Sequence, residues 1–247
     1  MLELIKSGKQ SRPRRTVIYG VHGIGKSTWA SRWPKPIFIP TEDGVADLDV
    51  DSFPLAKTLE DAWKPVMWLG GEGTGHSYKT VVLDSADWLE WLIFDSIEKK
   101  HGKAVQDIGY QAGYAEAADK FRSFLKSLDC CRNQGMHCVI TAHCDSVKHE
   151  PPDGESYNRY APKLHKRIAS VLQEWADEVL FACYESFTSK SDEGFNRKRT
   201  VAVGEGKRFI WTTERPSHNA KNRLGLPEQM SFDFAEYAPY LGVIDNG

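Results

Sequence analysis

The chain has 247 residues, 40% hydrophobic and 27% charged, which suits one domain with a sizeable core. A formal net charge of −2 excludes a protein that is basic overall and binds nucleic acid through bulk charge, but leaves room for a local basic groove. No apolar run reaches the length of a membrane span, no signal peptide opens the sequence, and the five cysteines form no C-x-x-C pair; no membrane partner and a reducing, cytosolic setting are expected. Cys138 sits in the apolar run Cys138-Val139-Ile140 and reads as a small hydrophobe rather than a zinc ligand.

Residues 1–13 form a basic leader carrying Lys6, Lys9 and Arg12. Thr16 to Tyr19 is β-branched and aromatic and reads as a buried strand. Gly20-Val21-His22-Gly23-Ile24-Gly25-Lys26-Ser27 follows, in the order G-x-x-x-x-G-K-S of a phosphate-binding P-loop. Ser27, Thr28 and the residues up to Trp33 can be helix until Pro34 stops them. Strand, glycine loop and helix are the context the motif requires. Backbone N–H groups of such a loop point at phosphate, Lys26 would reach the β- and γ-phosphates, and the Ser27 hydroxyl would bind Mg²⁺. The cofactors implied are ATP and Mg²⁺.

Pro36 to Ile39 reads as a second buried strand, ending at Pro40-Thr41-Glu42-Asp43-Gly44. Leu59 to Trp68 reads as a helix, and Gly70 to Gly75 as a loop. Thr80-Val81-Val82-Leu83-Asp84 is a Walker B pattern, a buried strand delivering a carboxylate to the sheet edge where ligands bind, so Asp84 is a second candidate for Mg²⁺. Asp87 to Lys99 reads as a helix whose Trp88 and Trp91 belong to the core. His101 to Tyr114, with three glycines, reads as a mobile loop, and Ala115 to Arg132 as an amphipathic helix. Cys138 to Ala142 is a strand ending at His143, and Ser146 to Pro162 a long polar loop. A helix over Lys163 to Asp177 and a strand over Glu178 to Ala182 come next. Antiparallel strands over Thr200 to Val203 and Arg208 to Thr213, a loop at Ala220 to Gly225 and an acidic, aromatic tail complete the chain.

This order resembles the RecA-like ATPases over roughly residues 14–227. Phe38-Ile39-Pro40-Thr41-Glu42 looks like the strand whose terminal Glu activates the attacking water. Gly109 to Tyr114 and Ser146 to Pro162 fall where the two DNA-binding loops would be, and Ala220-Lys221-Asn222-Arg223-Leu224-Gly225 looks like the K-x-R-x-G element of DnaB-type relatives. Together with Gly135-Met136-His137 and Thr141-Ala142-His143, these features are similar to the phage Sak-type single-strand annealing group. The resemblance implies an α/β fold: a RecA-like P-loop NTPase core with a mostly parallel central sheet flanked by helices and antiparallel C-terminal strands. It implies a core over 14–227 and a tail over 228–247, without the large accessory domains of a strand-exchange recombinase.

The resemblance also assigns roles. Glu42 becomes the general base, with Asp43 as runner-up and an ordinary acidic turn as the alternative. His143 stands where RecA has a Gln sensor, or is simply a strand-end histidine. Lys221 and Arg223 become fingers acting on a neighbour's site, or a solvated basic loop; acting in trans they imply a homo-oligomeric ring or filament. Tyr110, Tyr114, Lys148, Arg159 and Tyr160 would supply the charge and stacking that hold single-stranded DNA. The function implied is DNA-stimulated ATP hydrolysis in annealing, recombination or repair in a bacterial host cytoplasm, with a single-strand binding protein as a further partner. A nucleotide-switched assembly module with slow turnover is the alternative. A small-molecule kinase fits less well, because no Arg-rich lid is present.

Overall fold

The computed structural model describes residues 7–8, 12–71, 75–152, 154–185, 187–192, 198–203 and 206–241. Most of the basic leader, the centre of the glycine run (residues 72–74), Asp153 and the last six residues of the tail lie outside the described residues. The elements run β1 (Arg15–Gly20), α1 (Lys26–Ala30), β2 (Pro36–Pro40), β3 (Asp51–Ser52), α2 (Leu59–Leu69), β4 (Thr80–Asp84), α3 (Ala86–His101) and α4 (Ala112–Asn133). They continue with β5 (His137–His149), β6 (Tyr157–Pro162), α5 (Lys166–Trp175), β7 (Glu178–Tyr184), β8 (Phe187–Asp192) and β9 (Lys198–Val203). Last come β10 (Arg208–Trp211), β11 (Lys221–Asn222), β12 (Gln229–Ser231) and α6 (Phe234–Tyr237).

One sheet carries the order β12-β10-β7-β1-β5-β4-β2-β3. Its centre is parallel: β1 pairs with β5 and β7, β4 with β5 and β2, and β2 with β3. The C-terminal strands β10, β11 and β12 add antiparallel pairs on one side, and β8 pairs with β9 as a separate hairpin. This is the P-loop NTPase fold.

The period of two along each strand decides which side chain meets which layer. Val17 and Tyr19 pack with Val81 and Leu83 under α2, α3, α4 and α5, while Ile18 and Val82 face Trp29 and Trp33. On α4, Phe121, Phe124, Leu125 and Leu128 recur at helical spacing and are all buried. Burying each such side chain contributes about 1.5–3 kcal/mol. α2 starts where a capping box can form: Asp61 N–H donates to the Thr58 hydroxyl (3.2 Å) and Thr58 N–H to the Asp61 carboxylate (2.9 Å).

Several expectations change. Trp88 and Trp91 are not core; they are 46% and 65% exposed, because α3 turns its Leu89, Ile93 and Ile97 stripe to the sheet. Residues 101–114 are ordered by two 3-10 turns and the first turn of α4, with Tyr114 helical and stacked 4.1 Å from His165. β5 does not stop at His143. It runs on to His149 and pairs antiparallel with β6, so the long loop is a β-hairpin. The tail is no appendage either: β12 extends the sheet beside β10, and Tyr237 and Leu241 are buried against Trp29, Trp33 and their neighbours. Among the described residues no helix is long and apolar enough to cross a membrane.

Candidate nucleotide site

β1 ends in the P-loop, and its glycines are dictated by position. A Cβ on Gly20 would stand 2.3 Å from the Ala182 carbonyl oxygen, so only glycine lets β1 pass β7 there. Gly23 and Gly25 take φ of 73° and 101°, the left-handed region that curls the backbone around an anion. A Cβ at Gly23 would meet nothing within 4 Å, so the loop's crest opens outward. Beneath it, Lys26 is 7% exposed, and its Nζ donates to the carbonyls of Gly20 and Val21, each at 3.1 Å. Burial lowers its pKa, while Asp84, Glu42 and Asp87 act in the opposite sense. Ser27 and Thr28 follow on the first turn of α1, Ser27 half-buried and Thr28 exposed.

Neighbouring parallel strands bring the acidic groups to the same edge. Asp84 ends β4, is 2% exposed and accepts from the Thr141 hydroxyl of β5. The end of β2 is fastened to it: Thr41 N–H donates to the Asp84 carbonyl (2.8 Å), and the Thr41 hydroxyl bridges to the Ser85 carbonyl and N–H, both at 2.8 Å. That stitching holds the next residue, Glu42, over Asp84. Glu42 is half-buried and burial raises its carboxyl pKa, whereas Asp43 is exposed. Of the two carboxylates, Glu42, the one the sequence reading put first, is therefore the one packed at the strand end, and Asp43 the one left in solvent.

His143 lies level with Gly20, its strand partner in β1. Asp87 fixes it twice: the His143 backbone N–H donates to Asp87 Oδ1 (3.0 Å) and Nδ1–H to Oδ2 (2.8 Å). The ring stacks on His22 of the P-loop at 3.8 Å. His22, along with Val21 and Gly23, is exposed, and its pKa is lowered chiefly by His143. Asp87 itself is held below the usual carboxylate range: burial pushes it up, but the bonds to His143 outweigh that. Sequence reading missed Asp87, whose partner lies 56 positions away.

It also missed Arg208. This first residue of β10 pairs with Tyr184 at the end of β7, and its Nη1 donates to the Ile24 carbonyl of the P-loop at 2.9 Å. The guanidinium rests over Phe232 and lies so close to Gly25 that a Cβ there would sit 2.9 Å from Nη1. Ile24 is buried beneath the loop.

Lys221 and Arg223 are elsewhere. Lys221 pairs with Val179 near the start of β7, the sheet end opposite the P-loop. Its ammonium is not free to project: Nζ donates to the carbonyls of Gln173 (2.7 Å), Glu174 (3.2 Å) and Ala176 (2.6 Å), closing the C-terminus of α5, where carbonyls lack helical partners. Arg223 meets Asp177 at 3.5 Å with its side chain 55% exposed. Of the DNA candidates, Tyr110 is fully exposed, Lys148 pairs with Glu150, and Arg159 pairs with Glu214 at 2.9 Å. Tyr160 stacks on Phe181 and Tyr114 under His165, so neither ring presents a free face on that side.

The site fits a nucleoside triphosphate with Mg²⁺: an outward-facing glycine cradle, one lysine beneath it, and the Ser27 hydroxyl and Asp84 carboxylate as hard oxygen donors. A family profile described as AAA domain matches residues 12–224. A search of curated proteins gave no match. The match spans most of the chain, so the protein belongs to the AAA domain family and is a P-loop ATPase of that kind.

Proposed function

We propose that this AAA-domain ATPase works on single-stranded DNA, in the manner of the Sak-type RecA-like annealing proteins, as a head-to-tail assembly. The observation that carries this reading is the β5–β6 hairpin. β5 leaves the nucleotide edge at His143 and continues without a break into a hairpin bearing Lys148, Arg159 and Tyr160. Lys163 N–H closes the hairpin's base on the His143 carbonyl at 2.8 Å. A strand that joins a nucleotide-side histidine to a basic, aromatic hairpin couples the two ends through rigid structure rather than through a loose loop. The Lys148 ion pair is at the surface, where such pairs contribute at most about 1 kcal/mol, so a phosphate can displace it; Arg159 is half-buried and meets Glu214, whose own side chain is exposed.

In the reaction this supports, the P-loop amides and Lys26 hold the β- and γ-phosphates. Ser27 and Asp84 would hold Mg²⁺, which when bound would supply charge neutralisation. Glu42 orients the attacking water and takes its proton; its raised pKa brings it nearer the pH at which it must act. His143, held by Asp87, reports the phosphate's presence to the hairpin. Arg223, exposed at the opposite sheet end, is the residue available to a neighbour's site, and Lys221 supports it from the helix it caps.

The test is ATP turnover with and without poly-dT. Single-strand DNA is expected to raise turnover, with the effect weakening as salt rises. Arg223→Ala and Lys26→Ala, each inactive alone, should regain turnover when mixed. Turnover indifferent to DNA at low salt would return the protein to the reading of a nucleotide-switched assembly module. Failure of mixing to restore activity would remove the trans finger.

A further inference from the structure

A second cleft lies beside the nucleotide site and shares with the roles above only Asp87 and Lys163. Its volume is about 460 Å³. One wall is a stripe of α3, with Glu90, Trp91 and Phe94 at helical spacing; the other is Tyr114 of α4 with Leu164 ahead of α5. Phe94 meets Tyr114 edge-on at 6.0 Å, so the aromatic walls are fixed against each other.

The charged lining is one-sided. Asp87, Glu90, Glu98 and Asp145 line the cleft against a single cation, Lys163. Asp87 is used by His143, and Glu98 accepts from Val105 N–H at 3.1 Å. Glu90 differs. It is 8% exposed, one oxygen accepts from His165 N–H at 2.7 Å, and the other has no hydrogen-bond partner among the described residues. Burial pushes its carboxyl up to about 7, which is what a buried acid without a cationic partner shows. A half-satisfied carboxylate at the base of aromatic walls has the features of a receptor for a planar cation.

The aromatic surface does not stop at the cleft. Trp91 is 65% exposed at its rim and Trp88 46% exposed one turn before it, so the strip continues outward along α3. A free small cation would leave that strip uncovered, whereas a polypeptide would cover it while its side chain filled the cleft. Tryptophan and arginine are the residues that concentrate binding energy at protein interfaces.

We propose that α3 and this cleft form a docking site for a basic polypeptide segment, anchored by one arginine whose guanidinium pairs with Glu90 between Trp91 and Tyr114, with flanking residues lying on Trp88. Acidic lining disfavours a nucleic-acid strand here, so the site is separate from the DNA surface and stands or falls without it.

The experiment uses the full chain and a library of random peptides selected on the wild type and on Glu90→Gln. Glu90→Gln keeps the shape and an oxygen for His165 N–H; melting no lower than the wild type's, with unchanged basal ATP turnover, would confirm that the fold is intact. Peptides selected on the wild type should share one arginine that Glu90→Gln does not select. A synthetic selected peptide should bind by titration calorimetry and lose roughly tenfold or more when its arginine becomes citrulline, the loss of one charge-assisted pair. Trp88→Ala, at an exposed side chain, should weaken the peptide but not agmatine. The proposal is overturned if no arginine is enriched, if Glu90→Gln selects the same peptides, or if a poly-dT strand displaces the peptide. If agmatine binds as tightly as the peptide and Trp88→Ala changes neither, the occupant is a small free cation and the polypeptide is wrong.

Discussion

Replacing Asp87 with Asn isolates the contact that holds His143. The carboxylate has two oxygens and each accepts one donor, the backbone N–H at 3.0 Å and Nδ1–H at 2.8 Å. Asparagine offers one oxygen and one NH₂ group in the same volume. Its oxygen can keep the backbone N–H, but its NH₂ then faces Nδ1, so the ring must either leave that donor unpaired or shift its proton to Nε2 and so change the nitrogen it offers the phosphate, in a site where both side chains are under 10% exposed. Leaving a buried donor unpaired costs about 1–3 kcal/mol. For a domain of this size that corresponds to a fall in melting temperature of roughly 2–10 °C. If His143 reads the phosphate, turnover should fall while ATP affinity, measured with a fluorescent analogue, stays within about twofold, because no P-loop donor changes. Trp88→Ala, on the same turn but exposed, should leave both quantities alone. Melting and turnover of Asp87→Asn equal to wild type would refute the coupling of Asp87 to His143 and with it the sensor role.

Glu42→Gln should bind ATP as the wild type does and hydrolyse it at least about a hundredfold more slowly, since the amide takes no proton; Asp43→Asn should turn over normally, and the reverse result would move the base to Asp43. Arg208→Ala removes one donor from the Ile24 carbonyl, and ATP affinity should fall about fivefold with unfolding in urea nearly unchanged; unaltered affinity would make Arg208 a bystander. Glu178 is fully buried, with its carboxyl pushed up to about 7 by burial despite the Thr16 hydroxyl at 3.0 Å. Its folded pKa lies above the unfolded value, so the stability it contributes is present in acid and lost as pH rises through 7. Glu178→Gln should therefore gain about 2–3 kcal/mol on the wild type between pH 4.5 and pH 8 in urea titrations. His137, pushed down to about 4 by burial, acts with the opposite sign below its unfolded pKa, so the variant's own stability should climb between about pH 4 and 6.5. A pH-independent difference between variant and wild type would show that Glu178 is not protonated in the fold.

What the sequence disclosed follows from how far apart the cooperating residues lie. The P-loop is contiguous, so its glycines, Lys26 and Ser27 could be read in one window. Asp84 and His143 could be read because each closes an apolar run, and the ends of parallel strands meet at one edge. The resemblance put Glu42 ahead of Asp43, but the Thr41–Ser85 stitch that holds the end of β2, made across 44 positions, could not be read. Exposure was least legible: α3 is apolar on more than one face, and only the packing of Leu89, Ile93 and Ile97 shows that the Trp88 and Trp91 face is left outside. The hairpin was hidden because its two strands are polar and separated by Pro151 and Pro152, which read as loop although β5 and β6 pair through six residue pairs.

Arg208 marks a limit of that strand-end rule. In a parallel sheet, chemistry gathers where strands finish, so a reader looks at the last residue of each apolar run. β10 is antiparallel to β7, and its first residue, not its last, stands beside Tyr184 at the nucleotide edge. A basic residue opening a strand after a disjoint hairpin carries no local signal, and its P-loop partner lies 184 positions away. Lys221 opens an antiparallel strand too, but β11 pairs only with the start of β7, which places it at the far sheet end, where the open carbonyls of α5 claim its ammonium. Arg208 and Lys221 each open an antiparallel strand, so what decides which edge each reaches is the part of β7 that its strand pairs with, the end for β10 and the start for β11.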